Sequence, residues 1–218
     1  MSGREAILAR VRAAARQRTE DDAEREDRVA GRIIRHESGL VPRQGASSGH
    51  GRLTQFLNKL DQASATVGRI SSLAELPRVI ARELRKRGLP AEVRMGAEPM
   101  FRSLDWSVLK ASIGPGRPVE PVTLSRAEFG MAETGTLVLC SGFDDPVTLT
   151  FLGETHFVVL RRSDIMAGFE DMWAAFRARG LDPRTVNMVT GPSRSADIGQ
   201  QLQLGAHGPM ALHVFLID

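Results

Sequence analysis

Residues 157–190, FVVLRRSDIMAGFEDMWAAFRARGLDPRTVNMVT, decide the fold. The stretch opens on Phe157–Leu160, apolar on both faces, and closes on a second apolar, β-prone run at Val186–Thr190. Between them Ile165, Phe169, Met172, Trp173 and Phe176 recur at i, i+4, i+7, i+8 and i+11, and Gly180 stands past the end. That spacing predicts a helix with one apolar face. Strand, amphipathic helix, strand is the unit of a sheet covered by helices. Trp173 and its neighbouring phenylalanines read as core side chains rather than a cofactor box.

The same alternation extends outward. Ala63–Val67, Ala91–Met95, Val119–Leu124, Thr136–Cys140 and Leu212–Ile217 are further strand candidates, mostly β-branched or apolar on both faces. Ser72 with Glu75 forms a capping-box pattern, and Leu73, Leu76, Ile80 and Leu84 follow before Gly88 closes a helix. Pro77 lies inside that stretch and moves the expected start one turn later. A mostly parallel sheet covered on both faces follows, so the fold class is α/β.

Upstream the texture changes. Residues 38–51, SGLVPRQGASSGHG, read as a flexible connector, followed by a short amphipathic helix marked by Leu53, Phe56, Leu57 and Leu60. From Met1 to Glu37 charges of both signs crowd together, with thin apolar stripes at Ile7, Leu8, Val11 and Ala15 and at Val29, Ile33 and Ile34. One or two solvated helices are expected there, either a plain charged face or a docking arm for another subunit. Residues 1–51 therefore read as a charged helical extension and connector, and 52–218 as one α/β domain.

Composition narrows the function. Hydrophobic residues at 42% and charged residues at 25% suit a water-soluble protein. No apolar run approaches the roughly 20 residues needed to span a bilayer. The N-terminus lacks the apolar core of a secretory signal, so a cytoplasmic location is expected. The net charge of +3 rests mainly on arginines, with only Lys59, Lys86 and Lys110 as lysines. Acidic residues are interleaved with them, no nucleic-acid motif is present, and nucleic-acid binding is not expected. Cys140 is the lone cysteine. It can form no internal disulfide and cannot supply the four thiolates of a typical iron–sulfur cluster or a cysteine zinc site. No cofactor is expected in this chain, and any cluster must sit in another protein.

Open parallel sheets carry ligands beyond the carboxyl ends of their strands, and two polar turns beside strands are the candidates. The first is residues 190–198, TGPSRSADI, after the strand at Val186. Gly191 permits a tight turn, Ser193 and Ser195 offer hydroxyls, and Arg194 offers a planar fork for a carboxylate or phosphate. A helical turn starting near Ser195 would add free N–H groups to an anion site. The plainer alternative has Ser195 capping that helix and Arg194 paired with Asp197. The second turn is residues 127–136, AEFGMAETGT, where Glu133, Thr134, Gly135 and Thr136 gather ahead of a buried strand. Glu133 suits a base or nucleophile, or a carboxylate that fixes the turn. His207, in the turn Gly205-Ala206-His207-Gly208-Pro209, is placed to approach the Gly191 loop as a catalytic or structural histidine. The Gly191 loop, His207 and the Glu133 segment are expected to share one cleft at the sheet's edge. His156, His207 and His213 match no zinc spacing, and neither a G-x-S-x-G elbow nor a G-x-G-x-x-G fingerprint is present.

Five segments in order carry a family resemblance: residues 132–136, 154–159, 191–198, 205–209 and 212–214. They resemble the LUD domain of the lactate-utilisation protein C family (YkgG-like) from about Ala63 to the C-terminus. Ser195 stands where that family usually has threonine, and the first 50 residues match only loosely. The resemblance implies a NagB/RpiA/CoA-transferase-like fold, close to formyltetrahydrofolate cyclo-ligase, with a mixed sheet flanked by helices. It further implies conversion of L-lactate to pyruvate together with iron–sulfur partner proteins. Cluster-bearing LUD proteins have extra cysteines that this chain lacks. A freestanding transferase, isomerase or cyclo-ligase acting on a phosphorylated or acyl substrate is the alternative. A binding module working through its N-terminal helices is a third.

Overall fold

The computed structural model describes residues 3–16, 21–195 and 203–218, and the chain forms two compact units, 1–40 and 41–218. The first unit carries α1 (Gly3–Arg16) and α2 (Asp22–Arg35). Asp22 and Glu24 open α2 and Arg32 and Arg35 close it, each pair opposite in sign to the helix dipole at its end. Ile7, Val11, Val29, Ile33 and Ile34 are exposed, as the thin stripes predict.

The second unit begins with a 3-10 turn at Arg43–Ala46 and α3 (Gly49–Gln62), so the expected connector is partly helical. There follow β1 (Thr66–Ile70), α4 (Leu76–Arg87), β2 (Glu92–Met95), α5 (Pro99–Arg102), β3 (Lys110–Ile113), β4 (Val122–Arg126), β5 (Phe129–Met131) and β6 (Thr136–Cys140). The chain continues through α6 (Thr148–Phe151), β7 (Thr155–Arg161), β8 (Ile165–Met166), α7 (Phe169–Ala178), β9 (Val186–Val189), β10 (Arg194–Ser195), β11 (Gln203–Leu204) and β12 (Ala211–Ile217).

Among the described residues six strands form a parallel sheet in the order β1-β12-β7-β4-β2-β3. Successive side chains of a strand point to opposite faces, so β7 and β12 each feed two cores. Val158, Leu160, Val214 and Leu216 pack with Leu53, Phe56 and Leu60 of α3. Phe157, Val159, Phe215 and Ile217 pack with Leu76, Ile80 and Leu84 of α4. Burying each such side chain is worth about 1.5–3 kcal/mol, and this is why the central strands read as unbroken apolar runs. Helix α4 starts at Leu76 with Pro77 in its first turn and ends on Gly88 at φ 68, as the sequence predicts.

The structure departs from expectation in three respects. Strands β6 and β9 leave the parallel sheet and join a second one, β8-β5-β6-β9, because Gly135 at φ 72 turns β6 back antiparallel to β5. Ile165 pairs with Gly130 as part of β8, so α7 begins only at Phe169. Strand β3, an edge strand with no fully buried residue, carries too weak an apolar pattern to be read. Against the second sheet α7 sets Met172 and Phe176 onto Phe129, Met131 and Val138.

Candidate functional site

Gly191 follows β9 with φ 76, and a β-carbon there would lie 2.2 Å from the Ala63 carbonyl oxygen. Only glycine lets the loop lie this close to the end of α3. Ser193 then laces this loop to the 205–209 turn. Its N–H donates to Pro209 O at 2.8 Å, its carbonyl accepts from Gly205 N at 3.1 Å, and its hydroxyl accepts from His207 N at 3.3 Å. Arg194 and Ser195 pair antiparallel with Leu204 and Gln203, and the helical turn expected after Ser195 lies outside the described residues. Asp197 and the Ser195 side chain lie outside the described residues. The Arg194 guanidinium donates to Ser64 Oγ.

Beneath the two turns is a cavity of 260 Å3, lined by Gly191, Ser193, Arg194 and His207. Phe151, Met188 and Leu212 give it apolar walls, and Thr150 and His156 add polar groups. Four of the expected site residues therefore meet. They do so at the amino ends of β7 and β12, since His156 and Leu212 are the second residues of those strands. The expected position beyond the carboxyl ends of the parallel strands is thus corrected: the loop that supplies the groups leaves the second sheet.

His156 is the residue that sequence reading passed over. It is 1% exposed and its Nε2 has no hydrogen-bond partner among the described residues. Burial alone lowers its pKa to about 3, so the imidazole is neutral at physiological pH. A buried polar nitrogen left unpaired costs about 1–3 kcal/mol. Such a group calls for a partner, and none lies among the described residues. The available signal was a polar residue at the mouth of an otherwise apolar run.

Glu133 is seated elsewhere. Its Oε2 lies so close to Gly45 and Gly168 that a β-carbon on either would meet it at 3.0 and 2.5 Å. The Glu133 backbone N–H donates to Ala167 O at 2.9 Å. The carboxylate thus wedges between the 3-10 turn and the start of α7 and does not line the cavity. Thr136 joins the two segments instead: its Oγ1 lies 2.7 Å from Thr134 Oγ1 and 2.6 Å from Thr190 Oγ1, next to Gly191. Gly135 brings this turn against Lys59 and Leu60 of α3.

A larger cavity of 580 Å3 lies at the carboxyl ends of β7 and β12, lined by Arg52, Arg161, Arg162 and Asp218. Its charges are largely satisfied within the fold. Arg52 donates to the Ser47 and Ile165 carbonyls, and Asp218 takes Arg69 at 2.7 Å and Arg162 at 3.5 Å. A third group of charges sits where β4 and β5 meet. Arg126 bridges Glu98 and Glu128, and Arg179 bridges Glu128 and Asp164 and stacks on Phe129. Nearby, burial and then the Glu98 charge push the Asp145 carboxyl up to about 7. Burial, then Glu128 and Asp145, push the Cys140 thiol up to about 11. Among the described residues no three His, Cys, Asp or Glu side chains converge as a metal site requires.

A parallel sheet backed by helices, joined to a smaller sheet whose glycine loop borders a half-open cavity, defines a mixed α/β protein, and residues 121–217 match the LUD domain. That match covers less than half of the chain, and over the same region the chain is similar to proteins named lactate utilization protein C. A protein of that name from Geobacillus sp. is 34% identical over 102 residues, covering 44% of this chain and 42% of the relative. One from Bacillus subtilis is 34% identical over 101 residues, with the same two shares. The match therefore spans less than half the length of these relatives. In fold the chain is similar to a DUF162 family protein from Deinococcus radiodurans, with TM-score 0.60 and 23% identity. That likeness covers 77% of this chain and 96% of the other.

Proposed function

We propose that this chain is the component without a metal cluster in an L-lactate utilisation system of the cytoplasm. It works beside iron–sulfur proteins that accept the two electrons released as lactate becomes pyruvate. The observation that carries this reading is the similarity of the C-terminal half to lactate utilization protein C. The thiol chemistry agrees: Cys140 is the sole cysteine, and its raised pKa keeps it a thiol rather than a thiolate ligand. In this reading the electron carriers belong to other chains and this chain supplies a binding surface. No helix among the described residues is long and apolar enough to cross a membrane.

The alternative, a freestanding enzyme with Glu133 as base or nucleophile, is weakened by the seat of that carboxylate against Gly45 and Gly168. Deleting the gene tests the main reading. Growth on L-lactate is expected to fail while growth on pyruvate continues, and affinity purification from the native host is expected to bring down iron-containing partners. Undiminished growth on L-lactate with no iron in the purified material overturns it.

A further inference from the structure

A groove of 720 Å3 follows β1, an edge strand of the parallel sheet, between α3 and α4. Thr66 pairs with His213 and Gly68 with Phe215, and Phe215 packs toward α4, so all four positions lie on the α4 face. His213 is 4% exposed, and Phe157 and Phe215 meet its ring edge-on. Its Nδ1 lies 2.7 Å from Thr66 Oγ1 and 3.2 Å from Arg87 Nη2. A guanidinium only donates, so Nδ1 is the acceptor and the ring proton sits on Nε2. Burial lowers the His213 pKa to about 4, with Glu83 opposing the shift and Arg87 and Lys86 reinforcing it, and the ring is neutral at physiological pH. Nε2 has no hydrogen-bond partner among the described residues, and unlike His156 Nε2 it is not sealed from solvent. Gly68 keeps the way to it open. A β-carbon there would lie 3.0 Å from Nε2, in the lining of the groove.

The charges along the groove select the sign of its occupant. Glu83 is bonded to Arg87 at 2.7 Å, and Arg69 to Asp218 at 2.7 Å. Arg82 and Lys86 stand i, i+4 on α4, both exposed, and Lys86 approaches Glu83 only at 4.0 Å. Against these two cations the groove sets the carboxylate of Asp61. A cation entering here would meet the Nε2 proton and two like charges. We infer that the groove binds a small oxyanion, one oxygen of which accepts from His213 Nε2–H while Arg82 and Lys86 balance its charge. Arg87 is a positioning residue: its bonds to Glu83, Thr66 and His213 hold the tautomer that donates. None of these residues lines the cavity beneath the Gly191 loop, and the inference is independent of the lactate reading.

The test uses the full chain at constant ionic strength, with inorganic phosphate, sulfate and chloride titrated one by one by calorimetry. Saturable binding of phosphate or sulfate is expected, about tenfold or more tighter than chloride. Gly68→Ala alters no charge and no hydrogen-bonding side chain, and its extended backbone suits alanine, yet it sets a methyl against Nε2. It is expected to weaken oxyanion binding by about tenfold or more, and the double substitution Arg82→Gln with Lys86→Gln by a similar factor. In the unsubstituted chain labelled with 15N-histidine, the His213 ring is expected to carry its proton on Nε2 and that resonance to move on phosphate addition. This reading decides the matter even where a variant fails to fold. No saturable binding of either oxyanion, chloride binding as tightly, or an Nε2 resonance indifferent to phosphate overturns the inference. So does a folded Gly68→Ala variant with the parent's affinity.

Discussion

Two glycines of nearly equal backbone conformation allow the steric cost at the roof loop to be isolated. Gly88 ends α4 at φ 68, and a β-carbon there meets nothing within 4 Å. Gly191 has φ 76, and its β-carbon would lie 2.2 Å from Ala63 O and 3.1 Å from the Ala63 carbonyl carbon. Gly88→Ala carries only the penalty of a left-handed conformation, about 1–2 kcal/mol. Gly191→Ala carries that penalty and must also displace backbone, a further cost of about 1–3 kcal/mol typical of overpacking. The expected losses are therefore about 1–2 kcal/mol for the first and about 2–5 kcal/mol for the second. At about 2–4 °C per kcal/mol for a chain of this size, thermal melting separates the two variants by several degrees. Urea titration of both variants with a shared m value gives the difference in free energy directly. Equal losses within about 0.5 kcal/mol would show that the loop does not press on Ala63, and the account of the roof would fail.

Three other outcomes follow from groups near the site and the second sheet. Asp145 has its pKa raised from 3.8 to about 7, so the folded state holds a proton that the unfolded chain releases. Stability is then greatest below about pH 4 as far as this group is concerned and is lost as pH rises toward 7, by up to about 4 kcal/mol. Asp145→Asn should flatten that slope and raise stability at pH 7.5, and a variant showing the parent's pH dependence contradicts the assignment. Thr136→Val removes the middle hydroxyl of the Thr134–Thr136–Thr190 chain. A loss of about 1 kcal/mol in urea unfolding is expected, and a gain in stability would show the chain to be inert. Cys140, with its thiol pushed up to about 11, should react with iodoacetamide far more slowly at pH 8 than an unfolded control. Labelling at the control rate refutes that thiol's protection.

The fold was legible where burial is two-sided. Phe157–Leu160 and Leu212–Ile217 are apolar at every position or nearly so because helices cover both faces, and that pattern survives in the sequence. Helix α4 was legible through local chemistry, in Ser72, Pro77 and Gly88. The second sheet was not, because strand direction in β6 is set by a turn conformation at Gly135 and by pairing with β9, partners distant in sequence. Ile165 fits the helical period equally well as the strand it forms, and only its pairing with Gly130 decides. At the site, turn composition marked the Gly191 loop and His207 correctly as neighbours. It could not orient Glu133, whose carboxylate turns toward Gly45, 88 residues upstream by numbering, through packing that no local pattern records. His156 was hidden for the converse reason. One polar side chain in an apolar strand marks a position, but the sequence does not show whether its nitrogen is paired.

The seat of Glu133 also bears on where the chain tolerates scission. Gly45 and Gly168 both lie close against the carboxylate. A nick near Leu40 falls at the boundary of the two compact units and spares that clasp. Removal of everything up to Gly51 would strip away Gly45 together with the opening turn of α3, and leave an acidic side chain uncapped at the start of α7. Limited proteolysis should accordingly yield a durable fragment beginning near Val41, whereas one beginning at Arg52 should be digested further.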